Sequence, residues 1–160
     1  MKIMDLLTEK KPLVEAELQR VFPRLATSNW LKKIVGAADY SYDTVTISNE
    51  LNAPVWEFLD RGGKRWRPIL MLSACKAVGG TEKKALPFSP LPELIHEGTI
   101  IVDDIEDGAD VRRGKKSMHL LVGVDTAIND GNAIYFLPLS VVYRNSEGLT
   151  DKQRLQIYDL

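Results

Sequence analysis

The sequence predicts an all-helical protein, an antiparallel bundle of helices joined by short loops. Three observations predict it. Apolar residues recur at three- and four-residue spacing in one segment after another. Glycine pairs and prolines punctuate those segments at short intervals. The single stretch with strand-like composition, Tyr40 to Ile47, has no partner strand elsewhere. Apolar stripes of this kind are buried by packing helix on helix.

Leu6, Leu7, Leu13, Val14, Leu18, Val21 and Phe22 form one apolar stripe, so residues 5–22 predict an amphipathic helix, with Pro12 a point of early interruption and Pro23 its end. Residues 28–38 predict a short second helix capped by Ser28 or Asn29. Without a partner strand, Tyr40 to Ile47 reads as a loop. A helix over 50–60 carries Val55, Trp56, Phe58 and Leu59 and stops at Gly62-Gly63. Pro68 suits the first turn of the next helix, which runs to Val78 and closes at Gly79-Gly80. Pro87, Pro90 and Pro92 mark a loop and the start of an apolar helix over Glu93 to Asp107. Another runs from about Asp125 to Tyr143 despite Gly131 and Pro138. Thr150 caps a last one, still helical at Leu160. No repeat, low-complexity tract or linker divides the 160 residues, so one domain is expected.

The composition is that of a soluble globular chain, 44% apolar and 27% charged, with a net charge of −1. Such a balance offers no global field for nucleic acid or an anionic membrane. Cys75 is the single cysteine and sits in an apolar run, which excludes an internal disulfide and fits a reducing compartment. Residues 1–11 lack the continuous apolar segment of a signal peptide, and no stretch reaches the roughly 20 apolar residues that span a bilayer. The expectation is a cytoplasmic protein with no stable membrane insertion.

Asp103, Asp104, Glu106, Asp107 and Asp110 follow directly on Ile100-Ile101-Val102. Like charges one turn apart destabilise a helix by roughly 0.2–0.5 kcal/mol per pair, and burying them unpaired costs more, so a cationic partner is expected. At about 100° per residue, Asp103 and Asp107 lie one turn apart on one face. His96 shares that face two turns back. Paired hard oxygen ligands suit Mg²⁺, which takes one or two carboxylates together with substrate phosphates. The competing reading is a solvated acidic surface, and the apolar flanks argue against it. A calcium loop anchored on Gly108 puts Ile105 and Gly114 where ligands are required. A di-iron bundle needs two Glu-x-x-His pairs, and Glu93 with His96 supplies one. A zinc site lacks ligands.

Two basic clusters flank this helix in sequence. Arg61, Lys64, Arg65 and Arg67 surround Gly62-Gly63 just before a helix start, and Arg112, Arg113, Lys115 and Lys116 follow the acids. Glycines let backbone approach a ligand, and Lys and Arg donate charge-assisted hydrogen bonds to phosphate. The first cluster is not a Walker A loop, because Phe58 stands where its first glycine belongs and Arg65 follows Lys64. RNA binding through Trp66 and its basic neighbours is disfavoured by the near-neutral chain. Acids for a metal, followed by bases for phosphate, make a site for a metal–diphosphate complex, and two basic clusters suggest two anionic substrates.

Gly62-Gly63-Lys64-Arg65-Trp66-Arg67-Pro68, then Glu93-Leu94-Ile95-His96, then Asp103 to Asp107 with Arg112-Arg113-Gly114 resemble, in order and spacing, the trans-isoprenyl (polyprenyl) diphosphate synthases. The acidic cluster resembles their first aspartate-rich motif. The resemblance implies the isoprenoid synthase fold, antiparallel helices around a central cavity, with this chain as the N-terminal half. It implies Mg²⁺ as cofactor, isopentenyl diphosphate and an allylic diphosphate as substrates, and a homodimer or a complementing second half as partner. Asp103 and Asp107 would ligate Mg²⁺ with Asp104 in support, and Arg112 would contact the allylic diphosphate. Lys64, Arg67, His96 and Arg113 would hold isopentenyl diphosphate. Gly98 and Thr99, five and four residues before the first aspartate, would line the floor under the growing product and, being small, admit a C20 or longer chain. Gly98 reads equally as a close helix–helix contact.

Family members are about twice this length, and residues 108–160 hold no second Asp-Asp-x-x-Asp. Little or no activity is therefore expected of these 160 residues alone. A non-catalytic partner subunit and a general phosphate-binding helical module are the alternatives. The first is disfavoured by the intact first-half ligand set, and the second predicts binding without prenyl transfer.

Overall fold

A computed structural model describes residues 3–144 and 148–159. The chain enters through α1 (Ile3–Val21) and α2 (Ser28–Val35). A short α3 (Thr44–Ile47) passes through a π-helical segment (Ser48–Asn52) into α4 (Ala53–Asp60). Then come α5 (Trp66–Ala77), α6 (Glu82–Ala85) and the long α7 (Pro90–Glu106). A two-residue hairpin, β1 (Val111–Arg112) against β2 (Lys115–Lys116), leads to α8 (His119–Val122) and α9 (Val124–Phe136). The described chain closes with α10 (Ser140–Arg144) and α11 (Asp151–Tyr158). The expected all-helical class is what the described residues show.

The core forms where α1, α4, α5, α7 and α9 meet, around Leu18, Phe22, Phe58, Leu59, Leu72, Leu94, Ile101 and Ile134. The turn after α1 shows how the sequence specifies this packing. The last carbonyls of a helix have no partner within it. Here the indole N–H of Trp30 donates to the carbonyl of Val21 (3.0 Å) and that of Trp56 to Phe22 (3.1 Å), while the Asn52 amide donates to Pro23 (2.6 Å). The Phe22 ring packs edge-on against Trp30 and stacks on Trp56. Three consecutive carbonyls are thus satisfied by side chains that also fill the core.

Several local expectations change. α1 runs through Pro12 without a break, and its fully buried positions, Val14, Leu18 and Val21, lie beyond it. The cap of α2 is Thr27, whose hydroxyl accepts from the Trp30 amide (3.1 Å), rather than Ser28 or Asn29, and Gly36 at φ 101° ends the helix before residue 38. The expected loop over Tyr40 to Ile47 is helical from Thr44, because the Asp43 carboxylate caps the amide of Thr46 (3.0 Å). Pro54 has no N–H to give the carbonyl four residues back, and the ladder just before it slips to i→i+5, as in the Ala53 amide bonded to Ser48. Pro138 splits the helix expected over 125–143, leaving a 3-10 turn at Leu137–Leu139 between α9 and α10. Thr150 caps α11 as expected, in a capping box with Gln153. Leu160, expected to be helical, lies outside the described residues.

The hairpin has no counterpart in the sequence reading. Arg113 (φ 53°) and Gly114 (φ 75°) sit at the two turn positions between paired Arg112 and Lys115, the left-handed pair that a tight hairpin requires.

The main contact of α7 is α9. Two glycines set their separation. A Cβ placed on Gly98 would lie 2.6 Å from the carbonyl oxygen of Gly131, and one on Gly131 would lie 3.1 Å from that of Gly98. The helices touch backbone to backbone there. Gly98→Ala should therefore force them apart, at about 1–3 kcal/mol for an overpacked contact. The check is a lowered urea midpoint at unchanged slope, and an unshifted midpoint would refute the tight contact.

Candidate functional site

The site is built on α7, whose two sides carry different acids. Glu93, Glu97 and Asp104 are buried, whereas Asp103 and Asp107 are exposed. Each buried acid has an arginine. Arg65, 3% exposed, donates to Glu93 (2.9 Å), Glu97 (3.3 Å), Glu15 of α1 (2.8 Å) and the carbonyl of Leu59 (2.9 Å). Arg113 clasps both oxygens of Glu97 (2.7 and 2.9 Å) and donates to the carbonyl of Gly62 (2.8 Å). Arg112 bonds one oxygen of Asp104 through Nε (2.8 Å) and Nη2. The other oxygen of Asp104 is buried without a partner. Thus the structure supplies the cation expected for the acidic cluster, at Asp104.

Burial raises the Glu93 carboxyl above its ordinary range, against the opposing pull of the Arg65 charge. Burial acts to lower the Arg65 guanidinium, and Glu15 and Glu93 outweigh it and hold it raised. The hairpin is held in place from α4. Glu57 accepts from Arg61 (2.6 Å) and Lys115 (2.9 Å), and Arg61 donates onward to the carbonyl of Lys116 (2.8 Å).

Asp103 and Asp107 differ from these acids. They lie one turn apart, with the Asp107 amide donating to the Asp103 carbonyl (2.8 Å). Among the described residues their carboxylates have no hydrogen bond or ion pair. Asp103 lines a cavity of about 230 Å³ with Gly98, Thr99, Val102, Asn132 and Tyr135. Two exposed carboxylates with free oxygens fit a hard divalent cation. Among the described residues no group of three or more acid, histidine or cysteine side chains assembles a metal site, so they would complete only part of its shell and leave the rest to substrate phosphate and water.

His96 lies beside this face, partly buried. Burial lowers its imidazole below the ordinary value, as do the charges of Arg67 and Arg113, and Asp103 pulls weakly the other way. Arg67 stacks on the Trp66 ring (4.5 Å). Lys64 is exposed, and its ammonium has no hydrogen bond or ion pair among the described residues. The structure therefore brings Arg67, His96, Arg113 and Asp103 to one side of α7, with Lys64 on the loop that Arg113 pins. Gly98 is occupied by its contact with Gly131, while Thr99 donates to the His96 carbonyl (2.7 Å) and lines the cavity. The sequence reading missed Arg65 and Glu97 as the joint between loop, helix and hairpin. The signal was Glu93 and Glu97 one turn apart on an apolar helix, beside a surplus of arginines.

The profile of the Polyprenyl synthetase family matches residues 48–159. The chain belongs to the polyprenyl synthetase family. A geranylgeranyl diphosphate synthase of Cyanophora paradoxa is 35% identical over 134 residues, 82% of this chain and 38% of that protein. A heterodimeric geranylgeranyl pyrophosphate synthase large subunit of Arabidopsis thaliana is 44% identical over 75 residues, 46% of this chain and 20% of its own. The crystal structure of a geranylgeranyl pyrophosphate synthetase from Pyrococcus horikoshii superposes on 99% of the chain at a TM-score of 0.76 and 24% identity, which shows the shared fold, and 42% of that protein is covered. This polyprenyl synthetase chain thus spans about two fifths of the length of such relatives. Among its described residues no helix is long and apolar enough to cross a membrane.

Two outcomes follow. Arg65→Ala would leave Glu93 and Glu97 short of their shared partner, at roughly 3–5 kcal/mol, readable by denaturant unfolding. The His96 imidazole should titrate below 6.5 in an NMR pH series, and Arg67→Ala should move it back up. A His96 titration at or above 6.5 would contradict the described environment.

Proposed function

We propose that this chain is the N-terminal half of a prenyltransferase that joins isopentenyl diphosphate head to tail to an allylic diphosphate, with Mg²⁺ as cofactor. The observation that carries the reading is the pair of unpaired carboxylates, Asp103 at a cavity walled by α7 and α9 and Asp107 one turn beyond it, in a chain of this family. Asp103 and Asp107 would hold Mg²⁺, which when bound offsets the charge developing on a departing diphosphate. Arg112, oriented by Asp104, would contact the allylic diphosphate. Lys64, Arg67, His96 and Arg113 would hold isopentenyl diphosphate, with Lys64 and Arg67 free of hydrogen bonds and ion pairs among the described residues and Arg113 already anchored. The apolar wall of Val102 and Tyr135 would keep water from a reactive allylic centre.

The product reading is C20 or longer. Thr99 supports it, since a small side chain leaves the cavity open beneath Asp103, and Gly98 contributes by letting α9 approach. Because the chain spans about two fifths of the length of such relatives, a complementing second half would have to supply the opposing ligands, and the chain by itself, or as a homodimer, would turn over little or nothing. A free cysteine and the lack of a membrane-spanning helix among the described residues support a cytoplasmic setting.

Calorimetric binding of farnesyl diphosphate with and without Mg²⁺ tests this. Mg²⁺ should strengthen binding, and Asp103→Asn or Asp107→Asn should remove that enhancement, about tenfold or more for a lost charged ligand. ATP binding as tightly as farnesyl diphosphate would point instead to a general phosphate-binding module. In an assay with its complement, products no longer than C15 would overturn the chain-length reading.

A further inference from the structure

A second cavity, of about 370 Å³, lies between α3, the π segment and α9, away from the acids of α7. Its apolar walls are Ile47, Leu51 and Ala133, its uncharged polar ones Thr46, Thr126 and Asn129, and its charged lining residues are Glu50 and Asp130. Asp130 is 3% exposed. Its carboxyl makes no hydrogen bond or ion pair among the described residues, and Oδ2 is fully buried without a partner. A carboxyl left unsatisfied in a folded interior is costly. Facing Glu50 across the same cavity adds repulsion rather than relief, and burial together with that charge pushes the Asp130 carboxyl up to about 7.

Glu50 stands on the π segment, a local widening of the helix that recurs at binding sites. The described residues hold no three-ligand cluster, and here, unlike at Asp103 and Asp107, no basic cluster stands by to bring a phosphate that would complete a metal's shell. The cavity is also far larger than one ion needs, and much of its wall is apolar. A charged head on a hydrocarbon stem matches both halves.

We propose that this cavity binds an aliphatic cation, with its ammonium or guanidinium head on Asp130 and Glu50 and its stem along Ile47, Leu51 and Ala133. The cation comes either as a free small amine or as a Lys or Arg side chain of a second copy of the chain. In both cases Asp130 gains the partner it lacks. The assignment is independent of prenyl transfer.

Agmatine, a guanidinium on a four-carbon stem with a terminal amine, is the probe, titrated calorimetrically into the 160-residue chain at pH 8. Saturable binding is expected. Asp130→Asn should weaken it about 10- to 100-fold, the range for a lost hydrogen bond to a charged group, and Asp103→Asn should leave it unchanged. Binding should weaken from pH 8 to pH 6 as Asp130 takes up a proton. If the side chain of a second copy fills the site, sedimentation will show self-association that Asp130→Asn weakens and agmatine competes away, which supports the same chemistry. Asp130→Asn also removes an unsatisfied charge, so it should raise the Tm more at pH 8 than at pH 5. Should that variant misfold, Glu50→Gln, an exposed position, serves in the same titration and should weaken agmatine. No saturable agmatine binding together with self-association indifferent to Asp130→Asn would overturn the proposal, and so would agmatine binding that neither variant weakens.

Discussion

Arg65 ties three helices together from one buried position. It sits in a left-handed conformation (φ 49°) after two glycines, and its guanidinium meets Glu15 of α1, the last turn of α4, and Glu93 and Glu97 of α7. Glu97 then hands the connection to Arg113 of the hairpin, which returns to the Gly62 carbonyl. This closed circuit determines where the basic loop stands relative to the acidic helix. An arginine suits the position because its planar fork satisfies several acceptors in one plane, which a lysine would not. Burying such charges contributes little net stability compared with an apolar core, but once made, the network tolerates few other arrangements.

The second constraint is steric. At Gly98 and Gly131 the backbones of α7 and α9 meet without side chains between them. Side chains on either side of that contact then splay, and the cavity below Asp103 opens where Val102, Tyr135 and Phe136 diverge. The same contact that closes the core thus creates the space beside the exposed carboxylate of Asp103.

Much of this architecture is legible along the chain. Gly62-Gly63 and Pro23 act locally, so the helix ends they mark read correctly from sequence, whereas the proline run expected as a loop holds a 3-10 turn at Leu86–Phe88 and α7 starts at Pro90 rather than Glu93. The exposed acids were legible too, since Asp103 and Asp107 share a helical face whatever surrounds them. What escaped depends on contacts between distant segments. The β-branched Thr44–Ile47 reads as loop because its helicity rests on the Asp43 cap and on the π segment ahead of Pro54. The hairpin hides because arginine is uncommon at positive φ, so Arg113-Gly114 gives a weak turn signal. Glu93 and Glu97 look like ordinary surface acids until Arg65 and Arg113, at 28 and 16 residues' distance, are placed against them. Asp130 gives no sequence signal at all, because nothing near it in the chain marks it as buried.

The hairpin's short span has a mechanical side. Arg112 and Arg113 are adjacent, yet one grips Asp104 and the other Glu97, positions about 10 Å apart along α7 at 1.5 Å rise per residue. The two side chains straddle two helical turns like the points of a caliper. A bend in α7, or a slip of the helix along its axis, would lengthen one grip while shortening the other. The pair therefore gauges the straightness of the helix that bears the acids, and couples any distortion arising at Asp103 to the loop that carries Lys64.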